Sequence, residues 1–250
     1  MTALPDLSTS LIAIGLSVVG SIGGLLTASI VLVIRHDLRT RLVPWLVSFA
    51  VGTLLGASLF NLLPEALETR PADATMVVVV VGILTFFVLE KVVLWHHCHD
   101  GDDCSLNKRA ASLIVIGDAV HTFVDGAVIA AATLVSPGLG VATTLAVAAH
   151  EIPQEMGDAA ILLSAGYSRR AALGLNLASA VGGVLGAGMM LAFGAMVPLV
   201  VPSVLAFAAG AFLYVAMADL IPSLHAGRFD AGSLRQLLLI VAGLATIAFL

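Results

Sequence analysis

Eight long apolar runs, each near the length of a membrane-spanning helix, constrain this chain more than any other feature of its sequence. A helix needs about 20 apolar residues to cross a bilayer. The runs cover residues 10–34, 42–66, 74–95, 111–135, 139–165, 171–197, 201–224 and 233–250. They are continuous rather than alternating, so they predict helices and not barrel strands. We therefore predict an all-α polytopic membrane protein, an eight-transmembrane-helix bundle in which residues 1–250 form a single domain.

The composition excludes several other classes of protein. Charged residues make up 11% of the chain and apolar residues 60%, whereas soluble proteins have about 25% charged residues. A soluble globular domain, a disordered chain and a nucleic-acid binder are excluded on these grounds. Two cysteines exclude a disulfide scaffold. The N-terminus lacks the basic segment of a signal peptide, so we expect the first run to be a retained helix.

The basic residues predict the orientation of the bundle. Lys and Arg favour cytoplasmic loops, and in an eight-helix arrangement ten of the 11 fall on one side, with only Arg70 on the other. An even number of helices then places both termini outside the cytoplasm. The ten residues are Arg35, Arg39, Arg41, Lys91, Lys108, Arg109, Arg169, Arg170, Arg228 and Arg235.

Acidic residues occur inside the apolar runs, where inserting a charge into the membrane is energetically unfavourable. A charge at the centre of a lone helix costs about 2.5–3.5 kcal/mol on insertion scales, and the fourth, fifth and seventh runs contain no Lys or Arg. His121 and His150 are the polar partners available. Carboxylates and imidazoles without basic residues indicate a divalent-cation site. The acids within runs are Asp118, Asp125, Glu151, Glu155, Asp158 and Asp219, with Glu65 and Glu90 near run ends.

The spacing of these residues places them on shared helical faces. The fourth helix carries Asp118, His121 and Asp125, and the fifth carries His150, Gln154 and Asp158 with Glu151 and Glu155 on a neighbouring stripe. The short connection between the two helices predicts antiparallel neighbours. His121 and His150 are nearly equidistant from that turn, so at about 1.5 Å per residue they should lie at similar depth.

Three prolines lie beside intramembrane acids. Pro153 follows Glu151, and Pro64 and Pro222 lie close to Glu65 and Asp219. Proline removes a backbone donor and clashes with the preceding turn. The pattern predicts helices that are interrupted around an ion site, as in many transporters.

Several polar and small residues have a structural alternative to metal binding. Asp118 or Glu155 taken alone could be satisfied locally, and Gln154, Asn61 and Asn176 could make interhelical hydrogen bonds instead of binding metal. The glycines of the sixth helix predict close helix packing. They are Gly182, Gly183, Gly186 and Gly188.

Residues 96–109 are predicted to form a short cytoplasmic loop that begins with the sequence HHCHDGDDC. A reducing cytoplasm disfavours a disulfide there. We interpret His96, His97, Cys98 and His99 as a weak metal-binding segment. The alternative is a solvated polar loop.

Five segments resemble the ZIP (Zrt/Irt-like) metal transporter family. HTFVDGAVIAAA (121–132) and HEIPQEMGDAAILL (150–163) are similar to the family's fourth and fifth helices. FNLLPEALE (60–68), LEKVVLWHHCH (89–99) and ADLIP (218–222) are similar to the second, third and seventh. The HEIPxE form is closest to the LIV-1-like branch.

The resemblance implies transport of divalent metal into the cytoplasm, chiefly Zn²⁺ and sometimes Cd²⁺, Fe²⁺ or Mn²⁺. It also implies a homodimer and a two-metal site between the fourth and fifth helices. One metal would bind His121, Asp125, His150 and Gln154. The second would bind Asp125, Glu151 and Gln154, with Asp219 nearby. Asn61 and Glu65 would line the pathway, to which we add Asp158, and Asp118 and Glu155 are further candidate ligands.

Two positions depart from the family pattern. Thr122 stands where the fourth-helix motif usually has Asn, and Gln154 stands where a second His or a Glu is usual. Both replacements weaken a ligand position, although Thr122 is kept as a candidate. A two-metal cluster and one strong site with a weaker or absent second site both stay open.

The predicted function is therefore a metal transporter and not an enzyme. An intramembrane zinc hydrolase is the alternative, because HEIPQ superficially resembles H-E-x-x-H. Gln154 in place of the second His, Pro153, and the lack of a nearby Ser or Cys nucleophile disfavour it. Metal export would use the same residues as import. The small loops suggest a multi-pass protein of a prokaryotic plasma membrane, with metal ions and lipid, but no nucleic acid, as partners.

Overall fold

The structure is a computed structural model that describes residues 5–95, 108–194, 199–224 and 231–250. Throughout these residues the regular secondary structure is helical, which confirms the all-α prediction for that part of the chain. The helices follow the predicted runs to within a few residues. They are α1 (Leu7–Val33), α2 (His36–Gly56, Ala57–Leu62 and Leu63–Thr69), α3 (Ala72–Trp95), α4 (Lys108–Val135), α5 (Pro137–Ser164), α6 (Arg169–Phe193), α7 (Val200–Tyr214, Val215–Leu220 and Ile221–Leu224) and α8 (Ala231–Ala248).

Six of the described helices are long and apolar enough to cross a membrane, namely α1, α2, α3, α4, α6 and α7. The apolar part of α8 is shorter, at Gly232–Ala248. Helix α5 has 28 residues, but it contains His150, Glu151, Glu155 and Asp158, which lower its hydropathy. The structure therefore supports a polytopic membrane protein, while the count of eight spans and the side of the termini stay predictions.

The prolines do not end the helices. The prediction of an interrupted helix was wrong for α5, whereas a π-helical segment interrupts the α-helical hydrogen bonding of α2 and α7. Pro153 lies inside the continuous helix α5. Pro64 and Pro222 each follow a six-residue π-helical segment, in which Leu63 N–H donates to the Ser58 carbonyl and Ile221 N–H to the Ala216 carbonyl. Because the wider turn shifts the carbonyls out of their α-helical register, the helix continues past each ring.

The two π-helical segments occupy matching places in α2 and α7. Asn61 is the fifth residue of Ala57–Leu62, and Asp219 is the fifth residue of Val215–Leu220. In each case a proline follows three residues later. Such single π turns occur often at functional sites, and each of these two has a polar residue at its fifth position.

Glycine permits the closest helix contacts, as predicted for α6. A methyl group on Gly126 of α4 would lie 1.8 Å from the Gly183 carbonyl oxygen, and one on Gly186 would lie 1.9 Å from that of Phe123. The backbones of α4 and α6 therefore touch directly. Gly182 makes a similar approach, but the prediction was wrong for Gly188, around which no described atom lies within 4 Å of an added methyl group.

Helices α4 and α5 occupy the centre of this arrangement. Helix α4 contacts α5 and α6, while α1 packs on α5 and α6, α2 on α8, and α3 on α7. Only Ser136 separates α4 from α5, and its hydroxyl accepts the Leu139 N–H to cap α5. This tight turn brings the polar faces of both helices together.

Candidate metal site

Four buried side chains from α4 and α5 converge on one point. His121 and Asp125 project from α4, and His150 and Glu151 from α5. One ligand atom from each lies within 4.8 Å of all the others. His121 and Asp125 meet because they are one helical turn apart. His150 reaches them because it lies at the same depth on the other side of the Ser136 turn, as their spacing predicted.

The closest three atoms form a nearly regular triangle. The Nε2 atoms of His121 and His150 are 3.1 Å apart. Asp125 Oδ2 lies 3.4 Å from the first and 3.2 Å from the second. Zinc binds N and O ligands at about 2.0–2.2 Å, so the atoms of a tetrahedral shell are about 3.3–3.6 Å apart. The triangle is close to one face of such a shell, and an oxygen of Glu151 lies within 4.8 Å of all three atoms.

The carboxylates of this group are buried without hydrogen-bond donors. Asp125 and Glu151 are each 0% exposed, and none of their four oxygen atoms has a hydrogen-bond partner among the described residues. Buried charge without a partner is strongly unfavourable. A bound divalent cation would supply the missing positive charge and coordinate the free oxygens. The donor set therefore fits a metal ion.

The ring of His150 is oriented so that its Nε2 is available. Its Nδ1 lies 3.0 Å from the Ala146 carbonyl, and since a carbonyl only accepts, Nδ1 carries the proton. The lone pair of the neutral imidazole is then on Nε2, which faces the site. Phe212 packs on this ring and Phe86 on that of His121, which restricts both imidazoles.

A second group of polar side chains surrounds Asp118, beside the first. Gln154 Nε2 donates to Asp118 Oδ1 at 3.1 Å, and the Ser179 hydroxyl donates to Asp118 Oδ2. The structure thus gives Gln154 the interhelical hydrogen bond that the sequence left as its alternative. The Thr122 hydroxyl donates to the Asp118 carbonyl at 2.9 Å. Asp118, Gln154 and Thr122 therefore lie outside the four-residue group.

Glu155 has a partner of its own on α6. Asn176 Nδ2 donates to Glu155 Oε2 at 2.6 Å, and both residues are buried. Glu155 Oε1 has no hydrogen-bond partner in the described part of the chain. The sequence analysis singled out Asn176 but missed Ser179. The signal was present, because the two residues are three apart on the glycine-rich face of α6.

A cavity of about 250 Å³ extends from the site between α3, α4, α5 and α7. His121 and Asp118 line its inner part, and Asp158 and Asp219 line it further out. Its lining residues extend from His121 toward the helix ends that adjoin the arginine- and lysine-bearing connections. Two lining residues were not predicted to act here, Glu90 and Tyr214, whose hydroxyl donates to Glu90 Oε2 at 2.5 Å. Asp219 is exposed, as its place in the cavity requires.

The remaining predicted residues are apart from this cavity. Asn61 and Glu65 are half-buried on α2 and line neither the cavity nor the four-residue group. His96, His97, Cys98 and His99 lie outside the described residues, so their predicted metal binding stays a prediction.

Comparison with known proteins identifies the family. The sequence model of the family described as "ZIP Zinc transporter" matches residues 7–103 and 95–250. The chain belongs to the ZIP family. The resemblance inferred from its fourth- and fifth-helix motifs is thereby confirmed, and similarity to ZIP13, ZIP4 and ZIP10 proteins confirms the LIV-1-like branch.

Several ZIP proteins of vertebrates align with the chain. It is 37% identical over 217 residues to zinc transporter ZIP13 of Pongo abelii, with 81% of this chain and 65% of that protein covered. It is 33% identical over 255 residues to human ZIP13, with 81% and 69% covered. Over 112 residues it is 48% identical to human zinc transporter ZIP4, with 45% and 17% covered. These relatives are transporters, in agreement with the prediction that the chain is not an enzyme.

Proposed function

We propose that this ZIP protein moves divalent metal cations, chiefly Zn²⁺, across a membrane into the cytoplasm. The supporting observation is the triangle of His121 Nε2, His150 Nε2 and Asp125 Oδ2, with edges of 3.1–3.4 Å, next to the unpartnered carboxylate of Glu151. These four residues are the proposed ligands. They offer nitrogen and oxygen atoms, which suit zinc, and Cd²⁺, Fe²⁺ or Mn²⁺ are further candidates.

The polar residues around the ligands have supporting roles in this proposal. Gln154 and Ser179 hold Asp118 against the site, and Asn176 holds Glu155. Because these side chains are engaged with one another, a single strong site is favoured over a two-metal cluster. Asp118 and Glu155 would add negative potential, which attracts a cation. In this proposal Thr122 and Gln154 do not coordinate the metal directly.

The path of the ion is proposed to follow the acidic cavity. An ion leaving His121 would pass Asp118 and then Asp158 and Asp219, which line the same space. Carboxylate oxygens spaced along a cavity can take over coordination one at a time. The lining residues lie toward the helix ends next to the arginine-bearing connections, and the positive-inside rule assigns those ends to the cytoplasmic side, which supports a path that ends in the cytoplasm. Asn61 and Glu65 of α2 would serve the opposite half of the path.

A hydrolase is disfavoured by the position of Gln154. In an H-E-x-x-H site the second His binds zinc four residues after the first. Gln154 occupies that position, and its amide donates to Asp118 instead. The prokaryotic plasma membrane and the homodimer stay predictions.

Metal uptake into sealed proteoliposomes tests the transport proposal. The protein is reconstituted, and the initial rate of zinc entry is followed with an internal fluorescent indicator. The double variant His121→Ala, His150→Ala should lower the rate at least tenfold, to about that of empty liposomes, because two of four ligands are lost. His36→Ala, which changes the first residue of α2, is the control. Wild-type uptake by the double variant would refute the proposed site.

Direction is tested separately in vesicles of known protein orientation. A protease added outside the vesicles cleaves an N-terminal tag only where the N-terminus faces outward. The cleaved fraction therefore distinguishes right-side-out from inverted protein. Zinc should enter vesicles in which the N-terminus faces outward. Net movement only toward the side that carries the N-terminus would show export and would contradict the proposed direction while leaving the metal site intact.

A further inference from the structure

A second and larger cavity lies between α1, α5 and α6, separate from the acidic one. It has a volume of about 400 Å³. Most of its wall is aliphatic, with Leu25 and Leu32 from α1, Leu163 from α5 and Leu173 from α6. An apolar space of this kind suits a hydrocarbon chain and not a hydrated ion. The metal path of the proposed function does not use it.

Two arginines stand at one end of this cavity. Arg39 lies in the second turn of α2, and its Nη1 donates to the Leu32 carbonyl at 3.2 Å, which holds the guanidinium over the end of α1. Arg169 is the first residue of α6 and is exposed. Both side chains line the cavity. A guanidinium has five donors and binds phosphate oxygens in a fork, so the Arg39 guanidinium can bind a phosphate group in addition to its hydrogen bond to Leu32.

A polar pair lines the cavity about two helical turns away from the arginines. Glu155 and Asn176 line it there and are hydrogen-bonded to each other. Among the described lining residues Glu155 is the acidic one, and it lies away from Arg39 and Arg169. The positive charge is concentrated at the end where α1 ends and α6 begins. The cavity therefore has its positive charge at one end, and aliphatic side chains lie between the two arginines and the polar pair.

The length of the cavity matches one leaflet of a membrane. Its α1 wall runs from Leu25 to Val33, and eight residues of helix rise about 12 Å. Half of the hydrocarbon core of a bilayer is about 15 Å. The arginines therefore lie at the level of the lipid headgroups when the cavity lies in the hydrocarbon of the adjoining leaflet.

We propose that this cavity binds an anionic phospholipid of the leaflet next to the arginine-bearing helix ends. One acyl chain occupies the space between α1, α5 and α6, and the phosphate group accepts hydrogen bonds from Arg39 and Arg169. A headgroup with net negative charge is selected, because a choline or ethanolamine cation would be repelled by the two guanidinium groups. Basic pockets between transmembrane helices bind anionic headgroups by the same physics. The proposal stands independently of metal transport.

Native mass spectrometry of the full chain in detergent tests the site. The protein is titrated with palmitoyl-oleoyl phosphatidylglycerol or with the phosphatidylcholine of the same chains, and the fraction that retains one lipid is measured. The wild type should retain phosphatidylglycerol at lower concentrations than phosphatidylcholine. The double variant Arg39→Ala, Arg169→Ala should need about tenfold more phosphatidylglycerol for half occupancy, since it loses two charge-assisted contacts.

The control has the same charge and the same helix ends. Arg41→Ala, Arg170→Ala removes two exposed arginines from α2 and α6 that do not line the cavity. This variant should bind phosphatidylglycerol like the wild type. An equal loss in both double variants would show a general surface-charge effect and overturn the proposal. Unchanged retention in the Arg39, Arg169 variant would show adventitious lipid only and would overturn it too.

A filling substitution tests the apolar part. Ala159→Phe places a ring in the cavity wall, and Ala160→Phe places the same ring on the exposed neighbouring position. Phosphatidylglycerol retention should fall with the first and persist with the second, while the thermal unfolding midpoints show that both variants are folded. If Ala159→Phe instead converts a dimer to a monomer and leaves lipid retention unchanged, the cavity is covered by a second copy and the lipid proposal is wrong.

Discussion

The Nε2 atoms of His121 and His150 lie 3.1 Å apart, although the two residues belong to different helices that run in opposite directions from Ser136. Asp125 Oδ2 is within 3.4 Å of both. Two nitrogen lone pairs and a carboxylate oxygen at this separation repel one another unless a proton or a cation lies among them. Protons and a metal ion therefore compete for these three atoms.

Removal of the charge of Asp125 should weaken metal binding more than it disturbs the fold. Asp125→Asn keeps the size of the side chain and replaces the oxygen that faces both imidazoles. Outer-sphere partners of a metal ligand are worth about 10–100-fold in affinity, so loss of a direct ligand should weaken zinc binding at least tenfold, as measured by competition with a chelating dye. Asp73→Asn, on the exposed first turn of α3, should leave the affinity unchanged. An affinity of Asp125→Asn equal to that of the wild type would remove Asp125 from the ligand set.

Zinc affinity should rise with pH in the acid range. Metal binds the deprotonated carboxylates and neutral imidazoles, so each bound proton must leave before the ion enters. The apparent dissociation constant should therefore increase as the pH falls from about 7.5 to about 5.5, because more protons compete with zinc for the same ligand atoms. His121→Gln, with one titrating ligand fewer, should show a shallower pH dependence. Equal wild-type affinities at both pH values would contradict a site built from these groups.

The helices and their polar faces could be predicted from the sequence because apolar length and spacing are local properties. The predicted run 111–135 corresponds to the helix Lys108–Val135, and the predicted run 139–165 corresponds to the helix Pro137–Ser164. The meeting of His121 and His150 also followed from their similar distances to one tight turn. In these cases a residue count along a helix decides position, since each residue adds about 1.5 Å.

Features that depend on neighbouring helices could not be predicted in this way. Gln154 shares a face with His150, but its amide points to Asp118 because the rotation of α4 beside α5 places that carboxylate within reach. Ser179 of α6 also donates a hydrogen bond to Asp118, and nothing in the local sequence specifies this partner. The π turns before Pro64 and Pro222 were likewise missed, since a proline alone predicts a break and not a wider turn.

Loss of the Ser179 hydroxyl should destabilise the protein without removing a ligand. Ser179→Ala leaves the buried Asp118 carboxylate, 5% exposed, with the amide of Gln154 as its side-chain donor among the described residues. A lost hydrogen bond to a buried charged group costs about 1.5–3 kcal/mol. Thermal unfolding in detergent should show a lower midpoint, and zinc affinity should change by less than it does in Asp125→Asn. In the Asp118→Asn background the Ser179→Ala change should cost less, and an equal cost would show that the hydroxyl does not act through Asp118.

Gly126 and Gly188 distinguish two effects of glycine in a helix. One effect is that glycine permits close packing, and the other is that it lowers helix propensity. A methyl group on Gly126 would lie 1.8 Å from the Gly183 carbonyl oxygen, whereas no described atom lies within 4 Å of a methyl group on Gly188. Gly126→Ala should therefore force α4 and α6 apart and lower the free energy of unfolding by about 1–3 kcal/mol or more. Gly188→Ala should be neutral or stabilising by up to about 1 kcal/mol, since alanine favours the helix. Both values come from thermal unfolding in the same detergent, and equal stabilities of the two variants would contradict the direct backbone contact between α4 and α6.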